Sequence, residues 1–266
     1  MLKQLLAKRK RNRRSPEWEP RLPDGLRVYA IGDIHGRVDL LRALLKKIAN
    51  DSRRAPVGRK RLIYLGDYID RGHKSREVVD LLLEGPPPGF EAIHLKGNHE
   101  EALLNFLETP DFGYEWQHYG GLETLASYGV TGLGTRRASE DFDLARDQFE
   151  AKLPETHLAF FRTLELSACF GDYFFTHSGV RPGIPLEKQR PEDLLWIRTE
   201  FTQWRGRFEK VVVHGHSISE EPEFERSRIG IDTGAYLTHR LTSVVLEGSD
   251  RRLLQTGEAR DPHPVR

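Results

Sequence analysis

Cysteine is nearly missing from this 266-residue sequence, where Cys169 stands alone. A single thiol excludes an internal disulfide framework and any zinc site built from cysteines, so a reducing compartment is expected. Long apolar runs are missing as well. No stretch approaches the roughly 18 uninterrupted apolar residues that a membrane helix needs, and no apolar signal core precedes the first charges. Cytoplasm is the expected location. Net charge is almost absent too: 41 Lys plus Arg against 40 Asp plus Glu leave +1 at pH 7, so the bulk of the chain advertises no polyanion partner. What is present, 38% hydrophobic and 30% charged residues, suits a globular fold with a real core.

One segment departs from that balance. MLKQLLAKRKRNRRS carries Lys3, Lys8, Arg9, Lys10, Arg11, Arg13 and Arg14 with no acid before Glu17. Such a run is either an arm for nucleic acid or a membrane surface, or a solvated tail. No aromatic precedes Trp18 for base stacking, which favours the tail. Residues 1–20 are therefore expected as a basic, disordered tail, 21–258 as a single domain and 259–266 as a flexible C-terminus. Within the domain, 109–164 is aromatic and helix-rich, with Gly120, Gly121, Gly129, Gly132 and Gly134 at expected breaks; it reads as a cap-like helical insertion.

The rest of the chain repeats one local pattern. Short runs rich in β-branched, Leu or aromatic residues end in Gly, Asp, Asn or His: RVYAIGDIHG, RLIYLGDYIDRG, EAIHLKGNHE, YFFTHSG and KVVVHGHS. Runs bounded in this way read as strands, while VDLLRALLKKIAND, REVVDLLLEG and EALLNFLE have helical apolar spacing. The order β, α, β, α, β, α points to crossover units and a partly parallel sheet. Ligands of open α/β sheets bind beyond the carboxyl ends of strands, where all these polar clusters fall.

Asp33, His35, Asp67, Asn98, His177 and His216 would thus supply oxygen and imidazole donors to one face. That donor set suits Mn, Fe, Zn or Mg better than Ca. Six protein ligands plus water overfill one tetrahedral site, whereas two ions about 3.5 to 4 Å apart can share a carboxylate and a hydroxide. Asp67, between the other clusters in chain order, is the bridging candidate. Each piece alone has a plainer reading: GD is often a turn, NH can cap a helix, and HxH can be a satisfied pair at a strand end.

In this order, GDIHG, GDYIDRG, GNHE, HSG and GHS resemble the five signatures of the calcineurin-like metallophosphoesterases, specifically the phosphoprotein phosphatase branch of bacterial type, with DLLWIR and IDTGAY in support. The likeness runs from about Val28 to about Leu246. It implies an α+β (mixed α/β) fold, a four-layer α/β/β/α sandwich of two mixed sheets with a dinuclear metal site at one edge. It also implies that Asp33 and His35 hold the first metal, Asp67 bridges, and Asn98, His177 and His216 hold the second, His216 being preferred to His214. His99 and Asp70 resemble the family's acid dyad and Arg71 its phosphate clamp. Arg198 is a candidate second clamp, weighed against a surface ion pair with Glu200.

The implied activity is dinuclear-metal-dependent hydrolysis of phosphomonoesters, with Mn the first choice of metal. Phosphoserine or phosphothreonine in proteins is the leading substrate and phosphotyrosine stays open; His99 would act as general acid. Small phosphoesters, symmetrical dinucleoside-tetraphosphate hydrolysis and RNA-end hydrolysis are the alternatives. Binding of nucleic acid through the basic tail is not favoured, and a non-enzymatic module is disfavoured by the intact ligand and dyad set. Trp196, Trp204 and Cys169 read as packing residues, and Arg37 and Arg181 as structural charges.

Overall fold

Alternation along the central strands dictates the layering. In β1 (Leu26–Ile31), Val28 and Ala30 point one way and Tyr29 and Ile31 the other, and all four are buried. A strand buried on both faces needs cover on both. In this computed structural model, which describes residues 18–54, 58–131 and 139–257, the cover on one face is a helical layer and on the other a second sheet.

The first sheet joins β1 to β2 (Arg59–Tyr64) and β2 to β3 (Glu91–His94) in parallel. The second contains β4 (Ser167–Phe170), β5 (Tyr173–Thr176), β6 (Val211–His214), β7 (Glu223–Phe224) and β8 (Arg228–Gly230), ordered β4-β5-β6-β8-β7. Two late strands, β9 (Thr242–Glu247) and β10 (Asp250–Gln255), return antiparallel to complete the first sheet as β10-β9-β1-β2-β3. Both sheets are mixed, as expected. The five strands expected from the sequence are β1, β2, β3, β5 and β6; the remaining five lie at or toward the sheet margins.

Three apolar clusters fill the gaps. Val28, Ala30, Ile63, Leu65, Tyr173, Phe175, Val211, Val213 and Ile229 pack between the two sheets. Tyr29, Ile31, Leu62 and Tyr64 face α1 (Val38–Arg54), α2 (Ser75–Leu83) and α3 (Asn98–Glu108). Phe174 and Val212 face Leu194, Ile197 and Phe201, carried on or beside the short helices Pro191–Trp196 and Thr199–Thr202. The result is four layers, helix, sheet, sheet, helix. Each fully buried large apolar side chain contributes about 1.5–3 kcal/mol before entropy is counted.

The segment 109–164, expected as an insertion, takes part in this packing. Helices α4 (Gly113–Trp116), α5 (Gly121–Ser127), α6 (Ser139–Lys152) and α7 (Glu155–Thr163) send Trp116, Leu125, Phe149 and Phe161 into the same cluster as α1–α3, joined by Tyr128 just after α5. Its glycines at 132 and 134 lie outside the described residues. Trp18 and Pro20, expected in the tail, touch the fold: the Arg207 guanidinium sits 3.8 Å from the Trp18 ring, and Tyr173 donates to the Pro20 carbonyl at 3.3 Å. Residues 1–17 and 258–266 lie outside the described residues, and with them the basic cluster. Cys169 corrects an expectation, since its side chain is exposed on β4, a strand at the sheet margin, rather than buried. No helix among the described residues is long and apolar enough to cross a membrane.

One half-buried group makes stability depend on pH. His94 stacks on Tyr64 with centroids 4.8 Å apart and rings 4° from parallel, and burial pushes its pKa down to about 4. The folded state therefore resists protonation that the unfolded chain accepts near pH 6.5, so this stability is full above 6.5 and is lost as pH falls toward 4. Urea melts of His94→Phe at pH 7.5 and pH 5 should show a gap between the two pH values smaller than wild type by about 1–2 kcal/mol.

Candidate metal centre

Loops at the carboxyl ends of five parallel-paired strands bring the polar clusters to one edge. Asp33 follows β1, Asp67 follows β2, Asn98 follows β3, His177 follows β5 and His216 follows β6. Backbone bonds then lock loop to loop: Ile34 and His35 donate their N–H groups to the Asp67 carbonyl at 3.0 and 2.8 Å, and Gly215 donates to the His177 carbonyl at 2.8 Å. The sheets are tied across their interface by His177, whose Nδ1 lies 2.8 Å from the Leu65 carbonyl. Among the described residues, the non-glycine positions with positive φ are His35, Asp67, Asp70, Arg71, His216 and His239. All but the last are residues singled out from sequence, and such backbone costs of order 1–3 kcal/mol each, which only an over-determined site sustains. Two glycines meet a steric demand. A methyl on Gly215 would stand 2.0 Å from Asp33 Oδ1, and one on Gly97 2.1 Å from Asp67 Oδ1.

The ligand-type atoms converge around Asp67. One ligand atom from each of His35, Asp67 and His99 lie within 4.8 Å of one another, and the same holds for Asp67, His177 and His216. Asp67 belongs to both groups. Its Oδ2 is 3.5 Å from His35 Nε2, and its Oδ1 is 3.4 Å from His177 Nε2. His35 and His177 each turn Nδ1 to a carbonyl, of Ile69 and Leu65 respectively, both at 2.8 Å. With Nδ1–H donating there, each Nε2 presents a lone pair inward. The inward nitrogen of His177 then faces Asn98 Oδ1 at 2.9 Å and His216 Nδ1 at 3.1 Å. A cluster of acceptors aimed at one another is what a cation would satisfy, so the donor set fits divalent metal ions. Asp33 joins through His216, whose backbone N–H it accepts on both oxygens at 3.2 and 3.0 Å.

Electrostatics carry the same message. Burial, reinforced by the charges of Asp232 and Asp67, raises Asp33 well above the carboxylate range, and burial with Glu100 raises Asp67 likewise. Burial pushes His177 down to about 3, and it also lowers His35 and His216, with help from neighbouring His99 and His177 respectively. Burial is the first cause of each of these shifts; it leaves the imidazoles in the neutral form that ligates metal, and a bound cation would favour the ionised acids.

His99 and Asp70, paired in expectation from the sequence, are in contact. His99 Nδ1 lies 2.6 Å from Asp70 Oδ2, with both side chains fully buried. Arg71, half-buried, lies with Nη1 3.1 Å from His35 Nε2 and its guanidinium over the Tyr236 ring at 4.8 Å. Arg198 is exposed, and its Nη1 donates to the His216 carbonyl at 2.9 Å, tying it to the loop of a ligand-type histidine. His214 turns away, with Nδ1 3.0 Å from the Gly215 carbonyl. Arg37 pairs with Asp39 and Arg181 with Asp193, as structural charges do. Trp196 is half-buried beside Tyr119, centroids 5.8 Å apart, whereas Trp204 is exposed.

Two buried acids escaped the sequence reading. Glu100 accepts the N–H groups of Asp67, Tyr68 and Gly97 at 2.9, 2.8 and 2.9 Å, so it holds the turn that aims Asp67. Its place three residues after Gly97 at the start of α3 is a capping-box position, the signal that would have found it. Asp232, after β8 in IDTGAY, shares a hydrogen bond with Asp33 and accepts the Gly234 N–H at 2.9 Å.

A family profile described as calcineurin-like phosphoesterase matches residues 26–240, which takes in every one of these clusters. The chain belongs to the calcineurin-like phosphoesterase family. It is therefore a hydrolase of a family that works with a dinuclear metal centre, and its two Asp67-centred groups are able to hold metal ions. The asymmetrical bis(5'-nucleosyl)-tetraphosphatase PrpE of Anoxybacillus flavithermus is 25% identical over 80% of this chain and 88% of its own. Serine/threonine-protein phosphatase 2 of Escherichia coli is 37% identical, but over 35% of this chain and 38% of its own. A solved structure provisionally described as a diadenosine tetraphosphatase superposes with a TM-score of 0.56 at 20% identity, over 88% of this chain and 95% of that one, a likeness of fold.

Proposed function

We propose that this calcineurin-like phosphoesterase hydrolyses phosphomonoesters, with phosphoserine and phosphothreonine in proteins as its leading substrates. The His99–Asp70 contact at 2.6 Å carries the reading. A serine or threonine alkoxide is a poor leaving group and needs a proton as the P–O bond breaks, whereas a nucleotide phosphate leaves without one.

Asp33 and His35 would hold one metal ion and Asn98, His177 and His216 the other, with Asp67 shared. The pair would supply charge neutralisation for the phosphoryl oxygens and an activated water. His99 Nε2, on the ring edge opposite Asp70, points toward Asp67 at 3.6 Å and is the atom that gives the leaving group its proton. Asp70 accepts the Nδ1–H and stabilises the imidazolium, whose Nε2–H is the transferable proton on the inward side. Arg71 presents a planar fork matched to two phosphoryl oxygens. Arg198 stands by the His216 loop as the second cation.

A second reading is favoured by the relatives that span most of the chain: asymmetrical cleavage of dinucleoside tetraphosphates, the activity for which they are named. The Mn-loaded protein assayed on phosphoserine, phosphothreonine and phosphotyrosine peptides beside diadenosine tetraphosphate separates the two. The first reading expects phosphoserine or phosphothreonine turnover at least about tenfold above the dinucleotide, a difference of about 1.4 kcal/mol in barrier. The reverse ranking would overturn it in favour of the second.

A further inference from the structure

The insertion reaches the reaction centre from beneath, through one carboxylate. Asp70 has three donors. Oδ2 receives His99 Nδ1 and, from α4, Trp116 Nε1 at 2.8 Å; Oδ1 receives Thr124 Oγ1 of α5 at 2.6 Å. The same Thr124 oxygen accepts the Asp70 backbone N–H at 2.9 Å, and the Arg71 N–H donates to the Gly120 carbonyl at 3.2 Å. Trp116 and Thr124 are themselves almost fully buried. Neither belongs to a sequence signature, and neither ring nor hydroxyl faces the ligand-type cluster.

We propose that Trp116 and Thr124 are positioning residues for proton delivery, fixing the Asp70 carboxylate plane so that His99 Nε2 points at the departing oxygen. The inference rests on the reading of His99 as general acid. A carboxylate held by the imidazole alone can rotate and swing the ring with it. One held at both oxygens by an indole N–H and a hydroxyl cannot, because those donors come from helices packed into the core. Burial raises Asp70 to about 7, and the Thr124 and Trp116 bonds oppose that rise, so they also favour the ionised form that an imidazole partner needs. The insertion thus acts as a floor under the dyad as well as a wall of the core.

Leaving-group dependence tests it on the full-length, Mn-loaded protein. The kcat for 2,4-dinitrophenyl, p-nitrophenyl and phenyl phosphate is measured for wild type, Thr124→Val, Thr124→Ser, Trp116→Phe and His99→Asn. Thr124→Val and Trp116→Phe should lose about 10- to 100-fold on phenyl phosphate and within about twofold on the dinitrophenyl ester, which departs without a proton. Thr124→Ser should stay near wild type, a rescue that a volume effect alone would not give. Equal losses across the three esters, or none, overturn the proposal. His99→Asn separates the two levels: a graded loss there with a flat one in the Thr124 and Trp116 variants sinks this inference alone, while a flat loss in His99→Asn sinks the general-acid reading beneath it.

Discussion

Replacing Asp67 by Asn should lower turnover of p-nitrophenyl phosphate by roughly a thousandfold, equivalent to about 4 kcal/mol of transition-state stabilisation. Asp67 alone belongs to both ligand groups, with one oxygen toward His35 and the other toward His177. The substitution keeps the volume and one oxygen acceptor but removes the charge that two cations would share. Its backbone duties are untouched: the Asp67 carbonyl still accepts from Ile34 and His35, and its N–H still reaches Glu100. The fold should therefore survive, and circular dichroism with an urea melt checks that it does. Unchanged turnover in a folded Asp67→Asn protein would reject the bridging role.

Replacing His99 by Asn should cost about 10²- to 10⁴-fold on phosphoserine, the range for loss of a positioned general acid. His99 is buried between Asp70 and the Asp67 carboxylate, and its ring meets His35 edge-on at 4.6 Å. Burial, reinforced by Arg71 and Arg198, lowers the His99 pKa, so the ring tends to be neutral unless a negatively charged ligand restores its proton. A phosphate dianion between Arg71 and the ligand-type side chains around Asp67 would supply that charge. Comparison of phosphoserine with a good leaving group measures the role directly; losses of similar size on both would show that His99 serves binding or structure instead.

How much of this was legible beforehand follows from where each residue sits. GDIHG, GDYIDRG, GNHE, HSG and GHS stand at the ends of apolar runs, and a parallel strand leaves its last residue at a predictable edge of the sheet. The residues there needed only the topology to bring them together, which is why Asp33 and His216 meet across 183 positions of sequence. The marginal strands were harder. β7 has two residues and β8 three, too short for period-two alternation to register. Trp116 and Thr124 were invisible for another reason. Their role depends on which of many buried polar atoms they touch, and the chain between α3 and β4 shows only that it is helical and aromatic. Cys169 misled because an alternating strand can place the same residue on either face, and β4 turns it outward.

Titration of the metal-free protein with Mn, read by calorimetry and by p-nitrophenyl phosphate hydrolysis on the same samples, tests the central claim most directly. About two equivalents should bind per chain. Activity should rise with metal occupancy, disappear on addition of a chelator and return with excess Mn. Hydrolysis at full rate in the chelated protein, or an end point of one equivalent with full activity, would contradict a paired site centred on Asp67.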